Sequence, residues 1–162
     1  MNAENTEGVC CLPFKPESWN DREFHWENKR FVKRSILTLF YVPLNFGKVM
    51  QSLDHRLHEH GVDVQEGLCL SDHTSRWNMD VYLAVNKEVP GEENVFFSGS
   101  FFSKVYEGSF SDTGNWVAEY KKEADKRGYI IKQWFMWYTT CPRCSKKYGK
   151  NYVAIVSRVE RH

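Results

Sequence analysis

The chain has 162 residues, of which 41% are hydrophobic, and its formal net charge at pH 7 is +1. This length and composition fit one domain with its own core. Charges of both signs are mixed along the chain, which argues against a nucleic-acid binder with a strongly basic face. The N-terminus is unlike a signal peptide and no run reaches the roughly 18 apolar residues of a membrane span. We therefore expect a cytoplasmic protein that binds neither nucleic acid nor a membrane.

Aromatic residues are the outlier of the composition, at 15% of the chain with six tryptophans. So many large rings exceed what a core of this size needs, which predicts that some of them line a cavity. The five cysteines are an odd number, and in a reducing compartment they argue against a disulfide framework.

The first half of the chain predicts an irregular arm, a strand, a helix and two more strands. Residues 1–34 show no clear hydrophobic periodicity and are assigned to the arm. A β-rich run at 35–42 ends at Pro43. The helix that follows has Asn45 as its N-cap and ends at Gly61. Its inner stripe is Phe46, Met50, Leu53 and Leu57. The two strands are predicted at 68–70 and 79–86, and a loop follows at 90–93.

The second half repeats this order. A strand is predicted over 96–107, followed by a helix that is capped by Ser111 or Asp112 and ends at Gly128. The inner stripe of this helix is Trp116, Tyr120 and Ala124. Two further strands are predicted over 129–138 and 152–159.

The order strand–helix–strand–strand therefore occurs twice, at 35–90 and at 95–160. One such unit alone would expose a sheet face and a helix stripe, and pairing two units buries both. We predict an α+β fold over 35–162, made of this duplicated module with a mainly antiparallel sheet. The seam between the repeats is the expected place for a ligand cleft.

Short motifs connect this order to a known family. Residues 101–116 (FFSKVYEGSFSDTGNW) and 126–129 (KRGY) place a strand, a Gly-containing turn and a helix that ends at a Gly in succession. This resembles the gyrase-inhibitor-like (GyrI-like) effector-binding family, and the resemblance spans about 35–159. Residues 43–50 (PLNFGKVM), 84–90 (AVNKEVP), 139–144 (TTCPRC) and 148–153 (YGKNYV) look like a subgroup of bacterial proteins labelled only as hydrolases or uncharacterised.

The resemblance implies a twofold module whose cleft binds bulky, aromatic, often cationic small molecules. Some members are sensor domains of transcription regulators, and a few hydrolyse cyclopropane-bearing toxins with an acid and aromatic residues in the cleft. Sensor-type members carry a Glu in the last strand, where this chain has Asn151 or a neighbour, preceded by Lys150. Recognition of a cation by that residue is therefore not expected here.

Three acids are candidates for catalysis. Residues 71–80 are predicted to join two strands, and in this loop Asp72 or Asp80 can act as general base toward a water. The alternative is a polar turn in which Asp72 binds backbone amides. Glu107 ends a strand, where burial beside aromatic rings would raise its pKa into the range of a general acid. The alternative for Glu107 is a solvated strand end.

The ligand-binding candidates are aromatic. Alternation in the strand at 129–138 puts Trp134, Met136 and Tyr138 on one face and Phe135 and Trp137 on the other. One face must pack as core, and we assign the other to the cleft. The residues predicted to contact a ligand are Trp77, Tyr82, Tyr106, Trp137, Tyr138 and Tyr152.

The CxxC turn at 141–144 offers Cys141 and Cys144 to a metal, and Cys10 with Cys11 is the other close set. A structural zinc site needs four ligands, so all four cysteines are candidates, and two reduced thiols on a turn are an equal alternative. Redox chemistry is disfavoured because predicted strands, rather than a helix N-terminus, flank the motif. The histidines of residues 54–60 (DHRLHEH) are assigned to a solvated helix face.

Together these features predict binding of hydrophobic or aromatic small molecules in a central cleft, with hydrolysis as the candidate chemistry and no required cofactor. The alternatives are a non-catalytic sensor or binding module and a zinc-stabilised interaction domain. The sequence does not indicate an oligomeric state.

Overall fold

The computed structural model describes residues 14–139, 149 and 151–161. A 3-10 turn, Pro16–Ser18, precedes the first strand, and a second one, Phe110–Asp112, precedes the second helix. The two helices are α1 (Phe46–Glu59) and α2 (Thr113–Lys126). The strands are β1 (Arg22–Leu39), β2 (Val42–Pro43), β3 (Val64–Ser75), β4 (Asn78–Val85), β5 (Glu93–Glu107), β6 (Tyr129–Tyr138) and β7 (Tyr152–Arg161). The structure is therefore α+β, with a mostly antiparallel sheet.

The sheet has the strand order β2-β1-β4-β3-β6-β7-β5, and β5 also pairs with β1. Six strands thus close into a ring, while the short β2 extends it at one side. Within the ring, β4 lies between β1 and β3, and β7 lies between β5 and β6. The two triplets are joined by the antiparallel pairs β1–β5 and β3–β6.

The inner face of the ring is apolar over most of its area. Its buried residues are Phe31, Leu68, Leu70, Tyr82, Ala84, Phe101, Phe135, Trp137, Ala154 and Val156. Partly buried residues pack against them, among them Phe14, Trp19, Phe24, Trp26 and Phe97. Burial of so much apolar area on both sides of the sheet is the main stabilising contribution to the fold.

The helices cover the outer face. In α2 the predicted stripe is confirmed, since Trp116, Tyr120 and Ala124 are all buried. In α1 Leu53 and Leu57 are buried as predicted, but Phe46 is 40% exposed. Phe46 is the first residue of the helix, so its side chain lies at the helix end. No helix in the described ranges is long and apolar enough to cross a membrane.

Two sequence-based predictions of irregular structure were wrong. Strand β1 begins at Arg22, so residues 22–34 are extended rather than part of an arm. A bulge between Trp26 and Lys29 explains the error. Before the bulge Phe24 and Trp26 face inward, and after it Phe31 does, so the inward positions change from even to odd numbers. No single period-2 pattern spans the strand.

The second error concerns residues 71–78, which were predicted to form a loop before the strand at 79–86. Strand β3 runs to Ser75 and β4 starts at Asn78, which leaves only Arg76 and Trp77 in the turn. Most side chains in this segment are polar, so the alternation of apolar and polar residues that predicts a strand is missing from it.

Candidate functional site

Two carboxylates face each other across β3 and β4. Asp72 and Asp80 are register partners in the antiparallel pair, two residues along from the pair Leu70 and Tyr82. Because side chains alternate along a strand and Leu70 and Tyr82 are buried on the inner face, both carboxylates lie on that face too. The Cβ atoms of such partners are about 5 Å apart. The structure thus brings together two of the three acids that the sequence suggested.

Asp80 is the more firmly held of the two. It is 8% exposed, and its Oδ1 accepts hydrogen bonds from Ser35 Oγ at 2.8 Å and from Asn78 Nδ2 at 3.1 Å. Its Oδ2 lies 3.8 Å from Lys33 Nζ, which is also 4.0 Å from the Glu93 carboxylate. These contacts on both oxygens fix the orientation of the Asp80 carboxylate.

Asp72 is only partly buried, and its Oδ2 accepts a hydrogen bond from Gln133 Nε2 at 3.3 Å. Gln133 belongs to β6, so this contact crosses between the strand triplets. Sequence analysis missed Gln133, Lys33 and Ser35. Their spacing along the chain gives no signal for the site, because the pairing of strands 45 and 61 residues apart brings them to the two acids.

Tyr82 lies beside the pair. Burial, and then the charges of Asp80, Asp72 and Glu93, raise its pKa to about 12. The hydroxyl therefore stays protonated at neutral pH and can donate a hydrogen bond to a ligand. Its ring is 5.1 Å from that of Phe97 and 5.7 Å from that of Phe135, which joins the acid pair to the aromatic part of the inner face.

Trp137 and Tyr152 line another part of the inner face. The ring of Phe14 lies 5.2 Å from Trp137 and 5.7 Å from Tyr152. The ring of Trp19 is 4.9 Å from Trp137, and its carbonyl accepts a hydrogen bond from Ser103 Oγ at 2.6 Å. The segment before β1 therefore covers these two aromatic residues. Next to it is a depression of about 460 Å³, lined by Ser18, Trp19, Arg22, Glu23, Phe24 and Trp26.

The other predicted ligand contacts lie elsewhere. Tyr106 is on the outer face, where its ring stacks on Trp116 at 5.7 Å and its hydroxyl donates to Glu119. Burial, followed by the bond to Glu119, raises the pKa of Tyr106. Trp77 is 53% exposed in the β3–β4 turn.

Glu107, the remaining catalytic candidate, is exposed at the end of β5, where its register partner is Tyr152. Its backbone position is thus next to an inner-face aromatic residue. The residues that hold Asp72 and Asp80 are Ser35, Asn78, Lys33 and Gln133, and Glu107 is not one of them.

The predicted metal ligands Cys10, Cys11, Cys141 and Cys144 lie outside the described residues, and zinc binding stays a prediction. Cys69 packs on the outer face, and burial raises the pKa of its thiol to about 12. Within residues 14–139, 149 and 151–161 no group of three or more His, Cys, Asp and Glu side chains could hold a metal ion. The His58 side chain on α1 is 79% exposed, as expected of a solvated face.

His73 and Tyr138 meet on the outer face. His73 Nε2 is 3.2 Å from the Tyr138 hydroxyl, whose ring also contacts Phe110 at 5.7 Å. His73 Nδ1 is buried, and no hydrogen-bond partner for it is present in the described part of the chain. Burial lowers the pKa of His73, while the charge of Asp72 raises it to a smaller extent.

This shift predicts a loss of stability in mild acid. Below the ordinary histidine pKa of about 6.5, the unfolded chain takes up a proton that the partly buried imidazole resists. The free energy of unfolding should therefore fall as the pH is lowered from about 6.5 toward the depressed pKa of the folded state. His73→Gln should flatten this dependence in urea unfolding, whereas the control His58→Gln should keep it. An unchanged slope in His73→Gln would contradict the assignment.

Comparisons with known proteins agree on the fold. The chain is similar to the crystal structure of the EcmrR C-terminal domain, with a TM-score of 0.67 and 10% identity over 89% of this chain and 99% of that one. Two structures of hydrolases from Listeria innocua have TM-scores of 0.62 and 0.59 at 13% and 14% identity, over 87% of this chain and 92% of each of theirs. No curated protein matches the sequence. The model of the bacterial hydrolase family matches residues 1–159, so the chain belongs to that family.

Proposed function

We propose that this protein binds a hydrophobic or aromatic small molecule on the inner face of the strand ring and hydrolyses it at Asp72 and Asp80. The observation that carries the proposal is the pairing of two carboxylates across β3 and β4 on a face that is mostly apolar and rich in aromatic residues. Apolar surroundings with a few convergent polar groups are typical of small-molecule sites. Membership of the bacterial hydrolase family supports the reaction class.

The pairing order of the strands supports a ligand cleft between two repeats. When the two-residue β2 is left aside, the two halves have the same pairing. In the first half β1 pairs with β4, which pairs with β3, and in the second half β5 pairs with β7, which pairs with β6. In each half the helix comes before the second of these strands in chain order. We infer that the halves, which the strands delimit at 22–85 and 93–161, are copies of one unit, and that the inner face between them is the cleft. The sequence resemblance to the gyrase-inhibitor-like family favours the same arrangement.

The two acids suit different roles. Asp72 is partly exposed and one of its oxygens is held by Gln133, so its other oxygen can take a proton from water. The hydroxide formed would attack an electrophilic carbon of the substrate, and the departing group would receive the proton from Asp72. Asp80 would hold Lys33, whose ammonium can stabilise the negative charge that develops on the substrate oxygen.

Turnover of a panel of aromatic esters and amides that release a coloured phenol or aniline tests this mechanism. Asp72→Asn should lower hydrolysis by roughly 10²- to 10⁴-fold, the usual contribution of a general base. The variant should still bind, which a rise in melting temperature with ligand would reveal. The matched control is Asp54→Asn on the exposed side of α1. Wild-type turnover in Asp72→Asn would remove Asp72 from the mechanism.

A binding module without chemistry is the second candidate. One observation favours it: Asp80 already interacts with Ser35, Asn78 and Lys33, which is typical of a structural carboxylate. In that case aromatic compounds would raise the melting temperature of the wild type while none of them is consumed. The zinc-stabilised interaction domain would instead require zinc in protein purified without chelator, which elemental analysis measures.

A further inference from the structure

The β1–β2 hairpin presents an apolar face that nothing in the described chain covers. Leu39 pairs with Val42, and Leu44 donates its backbone N–H to the Leu37 carbonyl at 2.9 Å, so these four side chains share one face. They are 47–63% exposed. On the opposite face Thr38 is buried. We refer to the β1–β2 hairpin, not the N-terminal segment, as the arm here, and we call this exposed surface, with the hairpin tip and its neighbour Trp77, the arm patch.

The tip of the hairpin adds two aromatic rings, and both residues have an unfavourable backbone conformation. Phe40 and Tyr41 have φ angles of +47° and +71°, in a region that bulky residues avoid and that turns usually fill with Asn or Gly. Their side chains are 61% and 55% exposed, and the Phe40 ring lies 5.3 Å from that of Trp77. Strain of this kind is typical of segments that have a function beyond folding.

Hydrogen bonds hold the hairpin in place. The Asn45 side chain accepts from the Leu37 amide at 2.9 Å instead of capping α1. On the other side, the backbone amides of Thr38 and Tyr41 donate to carbonyls of the β3–β4 turn at 3.0 Å and 3.1 Å. The arm patch is therefore preorganised, which lowers the entropy that a partner must offset on binding.

The size of the arm patch matches one half of a stable interface. Its members are Leu37, Leu39, Phe40, Tyr41, Val42, Leu44 and Trp77, each 47–63% exposed. With about 200 Å² for a fully exposed aromatic side chain and somewhat less for Leu and Val, they expose roughly 700–800 Å². The largest apolar patch on a typical monomer is about 300–600 Å², whereas each partner in a standard interface buries about 800 Å².

We propose that the partner is a second copy of this chain, and that two arm patches pack face to face around a twofold axis. In such an interface each patch meets itself, so charges of one sign would repel their own copies. No charged residue occurs between positions 37 and 46, and the Arg76 guanidinium, 6.0 Å from the Phe40 ring, lies at the hairpin tip rather than beside Leu39. Pairing edge to edge is disfavoured, because β2 has only two residues and Pro43 has no N–H to donate.

The proposed dimer has a consequence for the acid pair. Leu37 continues the inner face two residues beyond Ser35, whose hydroxyl donates to Asp80. Packing of a second copy on Leu37 and Leu39 would therefore shield that end of the ring from solvent. The dimer itself does not depend on whether the acids are catalytic.

The test is the mass of the full chain in solution, measured by sedimentation equilibrium from nanomolar to high micromolar concentration. We expect twice the monomer mass of 19.2 kDa for the wild type. Leu39→Glu and Leu39→Lys should each be monomeric, because like charges then meet at the axis, and mixing the two should restore the dimer. The control Phe96→Glu, which changes an equally exposed residue of β5, should remain dimeric.

Circular dichroism checks that the variants fold, which is expected because Leu39 and Phe96 are both about half exposed. A wild type that stays monomeric at the highest concentration would overturn the proposal. So would a dimer that survives both Leu39 substitutions. A monomer that co-floats with phospholipid vesicles would show instead that the arm patch contacts a membrane.

Discussion

Phe101→Ala is expected to lower the free energy of unfolding by about 3–5 kcal/mol, the usual cost of removing a buried aromatic ring. Phe101 is fully buried, and its ring lies 4.3 Å from that of Trp26 and 5.8 Å from that of Phe24. Its strand, β5, pairs with both β1 and β7. Because β5 is hydrogen-bonded on both sides, the surrounding residues cannot move in to fill the cavity that the missing ring leaves. The contact between the two halves of the ring of strands is then weakened.

Urea unfolding of the variant measures this loss, and Phe96→Ala is the matched control. Phe96 belongs to the same strand but faces outward, where it is 50% exposed and lies under the Arg30 guanidinium at 4.7 Å. Its truncation should cost no more than about 1 kcal/mol. Equal losses at the two positions would mean that the inner face is not the main core.

Glu92→Gln is expected to lower the free energy of unfolding by about 2–4 kcal/mol, because it leaves two partly buried guanidinium groups without their counter-charge. The Glu92 carboxylate accepts hydrogen bonds from Arg34 Nε at 2.6 Å and Nη2 at 2.5 Å, and it lies 3.4 Å from Arg56 Nε. Its side chain is only 7% exposed. Arg34 belongs to β1 and Arg56 to α1, so one carboxylate ties this helix to the sheet.

The adjacent residue offers the control. Glu93 is 63% exposed and 4.0 Å from Lys33, so Glu93→Gln should change the stability by less than about 0.5 kcal/mol. Added salt should weaken the contribution of Glu93 more than that of Glu92, because buried pairs are less screened. Chemical unfolding at low and high salt measures the loss of stability in each variant. Equal losses with the same salt dependence would contradict the buried role of Glu92.

Local patterns were sufficient for several elements. The α2 stripe of Trp116, Tyr120 and Ala124 follows from a 3.6-residue period that lies within one segment, and the strand Tyr129–Tyr138 was predicted with its observed bounds. Only the end of the first strand was found, because the bulge after Trp26 reverses the alternation. The strand predicted at 35–42 is in fact the end of β1 and the start of β2, with the turn of the hairpin at Phe40 and Tyr41. The inner position of Tyr82, Trp137 and Tyr152, against the outer position of Tyr106, depends on the register of each strand.

The sequence by itself determined which segments become helices and most strands, and it singled out Asp72, Asp80 and Tyr82, because those signals lie within a few neighbouring residues. Only the tertiary structure decided that Asp72 faces Asp80, and that Lys33, Ser35 and Gln133 surround them. It also decided that the run at 37–44 exposes one apolar face while Thr38 is buried on the other. The physical reason is that contacts between distant strands depend on pairing and register, which the whole chain sets together.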